Sequence, residues 1–408
     1  MRSMVGGRGN SMRRTATLAI VSLLALTAWA PSPDFSAADY AADARALPDL
    51  IRDNYAYLDD LPGGKVPSSP QLDAEREAVH DSDSLLHYAE DMIIALADSH
   101  ALTAKSFKDD WAIVPSYSDL WIDESGSFFV GAVREGSPAA AADIEPGDVL
   151  VSIDGTPPED AIKAFWGRLG LPMVAKDGWY DNPERYAIQV LVAGRRDRPR
   201  KLAFKRGTQF REVTLDNLYA WSARQPDRPA LTVTRANGVT TIRFNNSIGD
   251  LDTIKAFDAA MAAIPARAPV VIDLTDTPSG GTTAIARAVM GWFVTKPMPY
   301  QMHQLPSEER ETGIKRQWVE YVLPRPGKYH PGPVSVRAGH WTGSMGEGLA
   351  VGFMALGKLV CGSKMAGLKG GVYDFDLPRT GLRVKFPAER IYTVAGQPRE
   401  DVALKPCR

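Results

Sequence analysis

The spacing of apolar residues changes character along the chain. From residue 37 to 100, Leu, Ile and Met recur every three or four positions in "DYAADARALPDLIRDNYAYLD" and "DSLLHYAEDMIIALADSH". That period predicts amphipathic helices, with "LPGGKVPSSPQ" as the loop between them. From 111 to 217, short β-rich runs alternate with Gly/Pro turns. "SFFVGAV" predicts a strand, "GSPAAAA" a helix start, "EPGD" a turn, "VLVSIDG" a strand, the stretch from Pro158 a helix, and "REVTLD" a last strand. "SARQPDRP", residues 222–229, reads as a linker. Beyond it the buried-type strands "VTTIRFN", "APVVIDLT" and "PVSVRAG" alternate with the helical patterns "LDTIKAFDAAMAAI", "TAIARAVMGWFV" and the apolar run after Ser344. Alternation of this kind predicts an α/β fold with a parallel sheet and crossover helices. Ligand sites in such sheets lie at the carboxyl ends of the strands, where "DLTDTPSGG" and "RAGHWTGS" fall.

Length and charge narrow the function. A chain of 408 residues divides into two or three domains. Its net charge of −2 and the lack of a Lys/Arg block beside aromatics argue against a nucleic-acid partner. Neither a His/Cys cluster of zinc spacing nor "HExxH" occurs, so no metal or other cofactor is expected. "MRRTATLAIVSLLALTAWA" sets Arg13 and Arg14 before an uncharged run that ends in the small residues Ala28 and Ala30. This is the layout of a secretory signal peptide over 1–30, with Met12 as an alternative start. The run falls short of the roughly 20 apolar residues a span needs, so export without a stable membrane anchor is expected, to a periplasmic or secreted location. In an oxidising compartment Cys361 and Cys407 could pair; a buried thiol and an idle one is the other reading.

The candidate chemistry centres on "GHWTGSMGEGLAVGFMALG", residues 339–357. Ser344 stands where a strand meets a helix, among glycines that let backbone or ligand approach. A helix N-terminus supplies unpaired N–H groups to an oxyanion, and the N–H of Met345 is one such donor. Gly280 or Gly281 of "DLTDTPSGGT" is the candidate for a second. The plainer reading makes Ser344 an N-cap, with Glu347 closing a capping box. An α/β-hydrolase elbow would need Gly at 342, which is Thr. The activating base is open among six histidines and two lysines, Lys364 and Lys369.

Two resemblances sharpen this. "REGSPAAAADIEPGDVLVSIDG" resembles a bacterial, protease-associated PDZ domain, interrupted by "LGLPMVAKDGWYDNPERYAIQVLVAGRRDRPR", which is longer than that fold needs. A PDZ domain would accept an extended polypeptide by strand addition. With it, "HWTGSMGEGLAVGF", "VIDLTDTPSGG", "LIRDNYAYLDD" and "LADSHALT" together resemble the C-terminal-processing and tricorn-type serine peptidases. The resemblance implies a helical segment at 31–110, a PDZ-like domain at 111–221 and a crotonase-like α/β peptidase core at 229–408. It implies Ser344 as nucleophile, with either of two bases. Lys369 has the spacing of a Ser–Lys dyad, but Leu368 falls in the lysine slot of the motif. The tricorn-like branch implies His100 as base, oriented by Ser99 and Glu400. The glycine motif lacks its Arg and Asn here, and Met345 replaces an expected alanine. The expectation is an exported endopeptidase acting on unfolded or C-terminally exposed polypeptides. The alternatives are an inactive peptide-binding platform, or a transferase of acyl groups from small esters and amides.

Overall fold

The structure is a computed structural model, which describes residues 35–111, 115–171 and 183–407. The expected signal peptide lies outside the described residues. Helix α1, Ala37–Asn54, starts at Ser36, which forms a capping box with Asp39, and runs on through Pro48 with Ala44, Leu47 and Ile51 buried. Helix α2, Pro70–Ala78, begins inside the stretch expected to be a loop. Ser69 caps the Leu72 N–H and Pro70 occupies the first turn, where its missing N–H costs nothing. Helix α3, Ser82–Ile94, starts at the Asp81 cap and leads to a two-residue strand, β1, Leu102–Thr103.

Strands β2 (Leu120–Glu124) and β3 (Phe128–Val133), helix α4 (Pro138–Ala141), strand β4 (Val149–Ile153), helices α5 (Pro158–Gly167) and α6 (Pro183–Ala193), and strands β5 (Arg200–Arg206) and β6 (Gln209–Leu215) follow. The strands form an antiparallel sheet in the order β2-β3-β4-β5-β6. The stretch expected to be an insertion is in part structural: α6 is buried from Tyr186 to Ala193 against this module, while 172–182 lie outside the described residues. Its apolar side chains share one hydrophobic core with α1, α3 and the sheet.

Strand β2 is one edge of the sheet, and part of its outward main chain is already bonded. Val130 turns its polar groups to the β4 side (Val130 N–H to Asp148 O, 2.8 Å; Gly147 N–H to Val130 O, 2.7 Å), so Ile122 opposite it points outward. The Ile122 carbonyl accepts from Gln189 Nε2 of α6 at 2.8 Å. At Leu120 the Ser118 hydroxyl donates to the carbonyl (2.9 Å) and accepts from the N–H (3.3 Å).

After helix α7 (Leu218–Ala223), the C-terminal part of the chain opens with the hairpin β7 (Leu231–Ala236) and β8 (Val239–Phe244). Helix α8 (Asp252–Ala262), strand β9 (Val270–Asp273) and helix α9 (Thr283–Met290) come next. Strand β10 (Met298–Gln304), helix α10 (Pro306–Thr312) and strand β11 (Gln317–Val322) precede strand β12 (Val334–Ala338), helix α11 (Met345–Ala355) and strand β13 (Leu359–Gly362). The expected parallel sheet is present as β8, β9, β12 and β13, with β7 added antiparallel at one edge. A second sheet was not foreseen. It pairs β10 and β11 with β14 (Gly371–Asp376) and β15 (Arg383–Tyr392), and takes β1 from the N-terminal segment. Cys361 and Cys407 form a disulfide that ties the C-terminal tail to β13. No helix among the described residues is long and apolar enough to cross a membrane.

Candidate active site

Ser344 joins β12 to α11 with φ 51° and ψ −116°. Ser344 is the N-cap of α11 and forms a capping box with Glu347, as the plainer reading expected, but it does so at a positive φ that is strained for a non-glycine residue, where an N-cap ordinarily sits in the extended region. The strain is held by packing. Gly280, at φ 64°, lies so close that a Cβ there would overlap the Ser344 Cβ and stand 2.7 Å from the Met345 nitrogen. A Cβ on Gly346 would lie 2.5 Å from Thr277 Oγ1. The glycines around Ser344 therefore let the 275–281 loop press against the helix start, in addition to any room they leave for a ligand. The Gly280 N–H donates to Thr277 O at 3.2 Å. The Met345 N–H, in the first turn of α11, has no carbonyl four residues back within the helix.

Ser344 and His100 line one cavity of about 700 Å³, together with Met345, Gly281, Leu368 and Arg399. His100 is held in the loop after α3. Its main-chain N–H donates to Asp98 Oδ1 (2.8 Å), and Asp98 Oδ2 accepts from Tyr55 OH (2.8 Å). His100 Nδ1 lies 2.6 Å from the carbonyl of Lys369. A carbonyl only accepts, so Nδ1 carries the proton and Nε2 the lone pair. Burial lowers the imidazole pKa to about 4, against the raising effect of the Lys369 carbonyl, so the ring is neutral at pH 7.

The Nδ1 partner is a main-chain carbonyl, where Ser99 and Glu400 were expected. Ser99 is buried beside His100, and Glu400 Oε1 accepts from Tyr57 OH at 2.6 Å. The tyrosines of "NYAYLD" thus hold Asp98 and Glu400. Lys369 is buried, but its ammonium stands 5.2 Å over the Tyr57 ring. Lys369 reaches the imidazole through its backbone, and Lys364 is exposed. The loop carrying Lys369 is anchored by Glu347, which accepts from the N–H groups of Ser344 (2.8 Å), Gly367 (2.9 Å) and Leu368 (3.2 Å). Burial raises the Glu347 pKa to about 7.

Sequence reasoning missed the far wall of the cavity, on β10, β11 and β15. His303 stacks on Trp318 with ring centres 5.0 Å apart, with Nδ1 2.9 Å from Glu389 and Nε2 3.3 Å from Glu320. Burial acts to lower the His303 pKa, but the two carboxylates outweigh it and raise it to about 9. Histidine and glutamate far apart in sequence gave no local signal of this cluster. The PDZ-like module abuts the near side. Ser116 Oγ donates to Pro278 O (2.8 Å), Trp341 Nε1 to Ser118 O (2.6 Å), and Trp121 stacks on His340 at 4.4 Å.

A PDZ-domain family model matches residues 129–165. No curated protein matches the chain. Among solved structures, mature CPAF complexed with lactacystin is 14% identical, with 91% of this chain and 93% of that one covered at a TM-score of 0.55. The photosystem II D1 C-terminal processing protease is 15% identical over 91% of this chain and 92% of that one, at 0.52. The likeness runs over nearly the whole chain, and the chain has the fold of the PDZ-containing C-terminal-processing peptidases.

Proposed function

We propose that this protein is an exported serine peptidase that hydrolyses unfolded or C-terminally exposed polypeptides through an acyl-enzyme on Ser344. The observation that carries the reading is the strained Ser344 sharing a cavity with a buried His100 whose Nδ1–H is fixed on the Lys369 carbonyl. His100 Nε2 takes the hydroxyl proton as Ser344 Oγ attacks the scissile carbonyl. It then returns that proton to the leaving amine, and a water molecule repeats the sequence to release the acyl group. The Met345 N–H and the α11 N-terminus stabilise the oxyanion, with Gly280 or Gly281 as second donor; one such donor is worth about 2.7–4 kcal/mol in a dry site. Gly281 lines the cavity, whereas the Gly280 N–H is engaged with Thr277, which favours Gly281.

A carbonyl in the third position fixes the tautomer but carries no full charge to stabilise an imidazolium. The PDZ-like module would dock the substrate chain, and the signal peptide would direct export. The deciding experiment incubates the mature protein and its Ser344→Ala, His100→Ala and Lys369→Ala variants with an unfolded protein, fragments being read by mass spectrometry. The serine and histidine variants should lose at least about 10³-fold in rate, with Lys369→Ala largely active. Activity surviving Ser344→Ala would sink the mechanism. A wild-type protein that binds peptides and cuts none would make it a binding platform.

A further inference from the structure

Arg399 sits in a 3-10 turn, Arg399–Asp401, just before Glu400 in sequence, and is 2% exposed. Its Nη2 donates to the carbonyl of Leu368 at 2.8 Å and to that of Gly370 at 2.7 Å. The carbonyl between those two, on Lys369, turns instead to His100 Nδ1. The other side of the loop is tied by Glu347 to the N–H groups of Gly367 and Leu368. The acceptor that fixes the imidazole is therefore a peptide group clamped on both flanks, and one clamp is the guanidinium.

We propose that Arg399 is a positioning residue for the reaction: it sets the Lys369 carbonyl, and through it the tautomer and aim of His100. The proposal rests on the Ser344–His100 reading. Without the clamp two buried carbonyls lose their donor, and the loop relaxes away from the ring. A displacement of about 1 Å in such a group costs on the order of 10²-fold in rate. Lysine keeps the charge and can reach two carbonyls from one nitrogen, though without the planar fork; methionine keeps the length and neither property.

The charged and titratable groups around His100 are Asp98 on its own loop, Tyr57 after α1, Lys369, Glu347 on α11, and Arg399 with Glu400 in the turn. Of these Arg399 acts directly against protonation of the imidazole. Its removal should raise the acid limb of kcat/KM, which a purely structural role would leave alone.

The test uses the mature protein with Arg399→Met, Arg399→Gln and Arg399→Lys, folding being checked by circular dichroism. Arg399→Met is expected to lower kcat about 100-fold with KM within about threefold, and to move the acid limb to higher pH. Arg399→Lys should recover to within about tenfold of wild type with the limb in place. If the methionine variant does not fold, the glutamine variant should retain a donor and show the shifted limb. Nitrogen-15 spectra of the imidazoles in a Ser344→Ala background should show Nδ1–H for His100, and mixed tautomers once Arg399→Met is added. That arm reads the clamp even if the wild type cleaves nothing, an outcome that would sink the peptidase reading alone. A folded Arg399→Met enzyme with wild-type kcat and acid limb would overturn the proposal. So would a lysine variant as impaired as methionine with no shift in either.

Discussion

At the residue scale the decisive choice is a carbonyl where a carboxylate would stabilise the charged ring. Burial holds His100 neutral down to about pH 4, opposed by the Lys369 carbonyl and aided by the Arg399 guanidinium. The working form of a general base is the unprotonated one, which persists at every pH above its folded pKa. Activity should then survive acidification from pH 7 to about 5, where a histidine at its ordinary 6.5 would already be mostly protonated. A kcat/KM profile from pH 3.5 to 8 checks this, with circular dichroism alongside to separate unfolding from titration. An acid limb at or above 6.5 in a folded enzyme would mean that a carboxylate reaches the ring in the working state, or that protonation of Glu347, raised to about 7, loosens the loop that presents the Lys369 carbonyl. That Ser344 and His100 line one cavity was legible because each sits in a run with its own local signal, "TGSMGE" and "ADSHA". The orienting group was not, since a main-chain carbonyl has no residue type to recognise, and the neighbouring Glu400 drew the assignment.

At the scale of elements, the edge of β2 bears on how a polypeptide could dock. Strand addition needs free outward N–H and C=O groups. Here Ser118 satisfies both at Leu120, and Gln189 satisfies the carbonyl at Ile122. A docking chain must replace Gln189, exchanging one hydrogen bond for another at little net gain. Gln189→Ala should therefore tighten binding of an extended peptide by about tenfold, at most about 1.5 kcal/mol for a single neutral bond. Titration calorimetry on the Ser344→Ala protein would measure it without cleavage. Unchanged affinity would mean that peptides dock elsewhere on the module. The helix that carries Gln189 was read as part of an insertion, because Gly/Pro-rich neighbours and a long spacing masked its apolar run "YAIQVLVA". Of the parallel strands, β9 was visible as a short apolar run, while β8 and β12 showed the alternation of strands buried on one face. The second sheet was not visible, since β11 leaves alternate residues exposed, β14 exposes Tyr373, Asp374 and Asp376, and both carry charges that resemble loop composition.

At the scale of the molecule, the buried ionisable groups set how stability follows pH. Between pH 7 and 9 two of them act in the same direction. His303, raised to about 9 between Glu320 and Glu389, keeps its proton in the folded state, while in the unfolded chain it is lost above about 6.5. Its contribution is complete below the unfolded value and drains away as pH rises through the folded one. Glu90 on α3 is raised to about 9 by burial, with Asp110 adding to the effect, and is protonated when folded but ionised when unfolded across the same window. Both give the folded state more bound protons, so each can subtract up to about 1.4 kcal/mol per pH unit. Glu75 and Glu347, raised to about 7, act in the same direction only at the start of the window, and His100 and His340, lowered to about 4 by burial, are neutral in the folded state throughout it. The melting temperature should then fall by several degrees from pH 7 to 9, at unchanged ionic strength. His303→Gln and Glu90→Gln should each flatten part of that slope, the first by removing the group that holds a proton between two strands of one sheet. Differential scanning calorimetry at half-unit steps reads both. A melting temperature that is level or rising over this range would show that the folded chain does not retain these two protons, and that the carboxylates around His303 are reached by solvent.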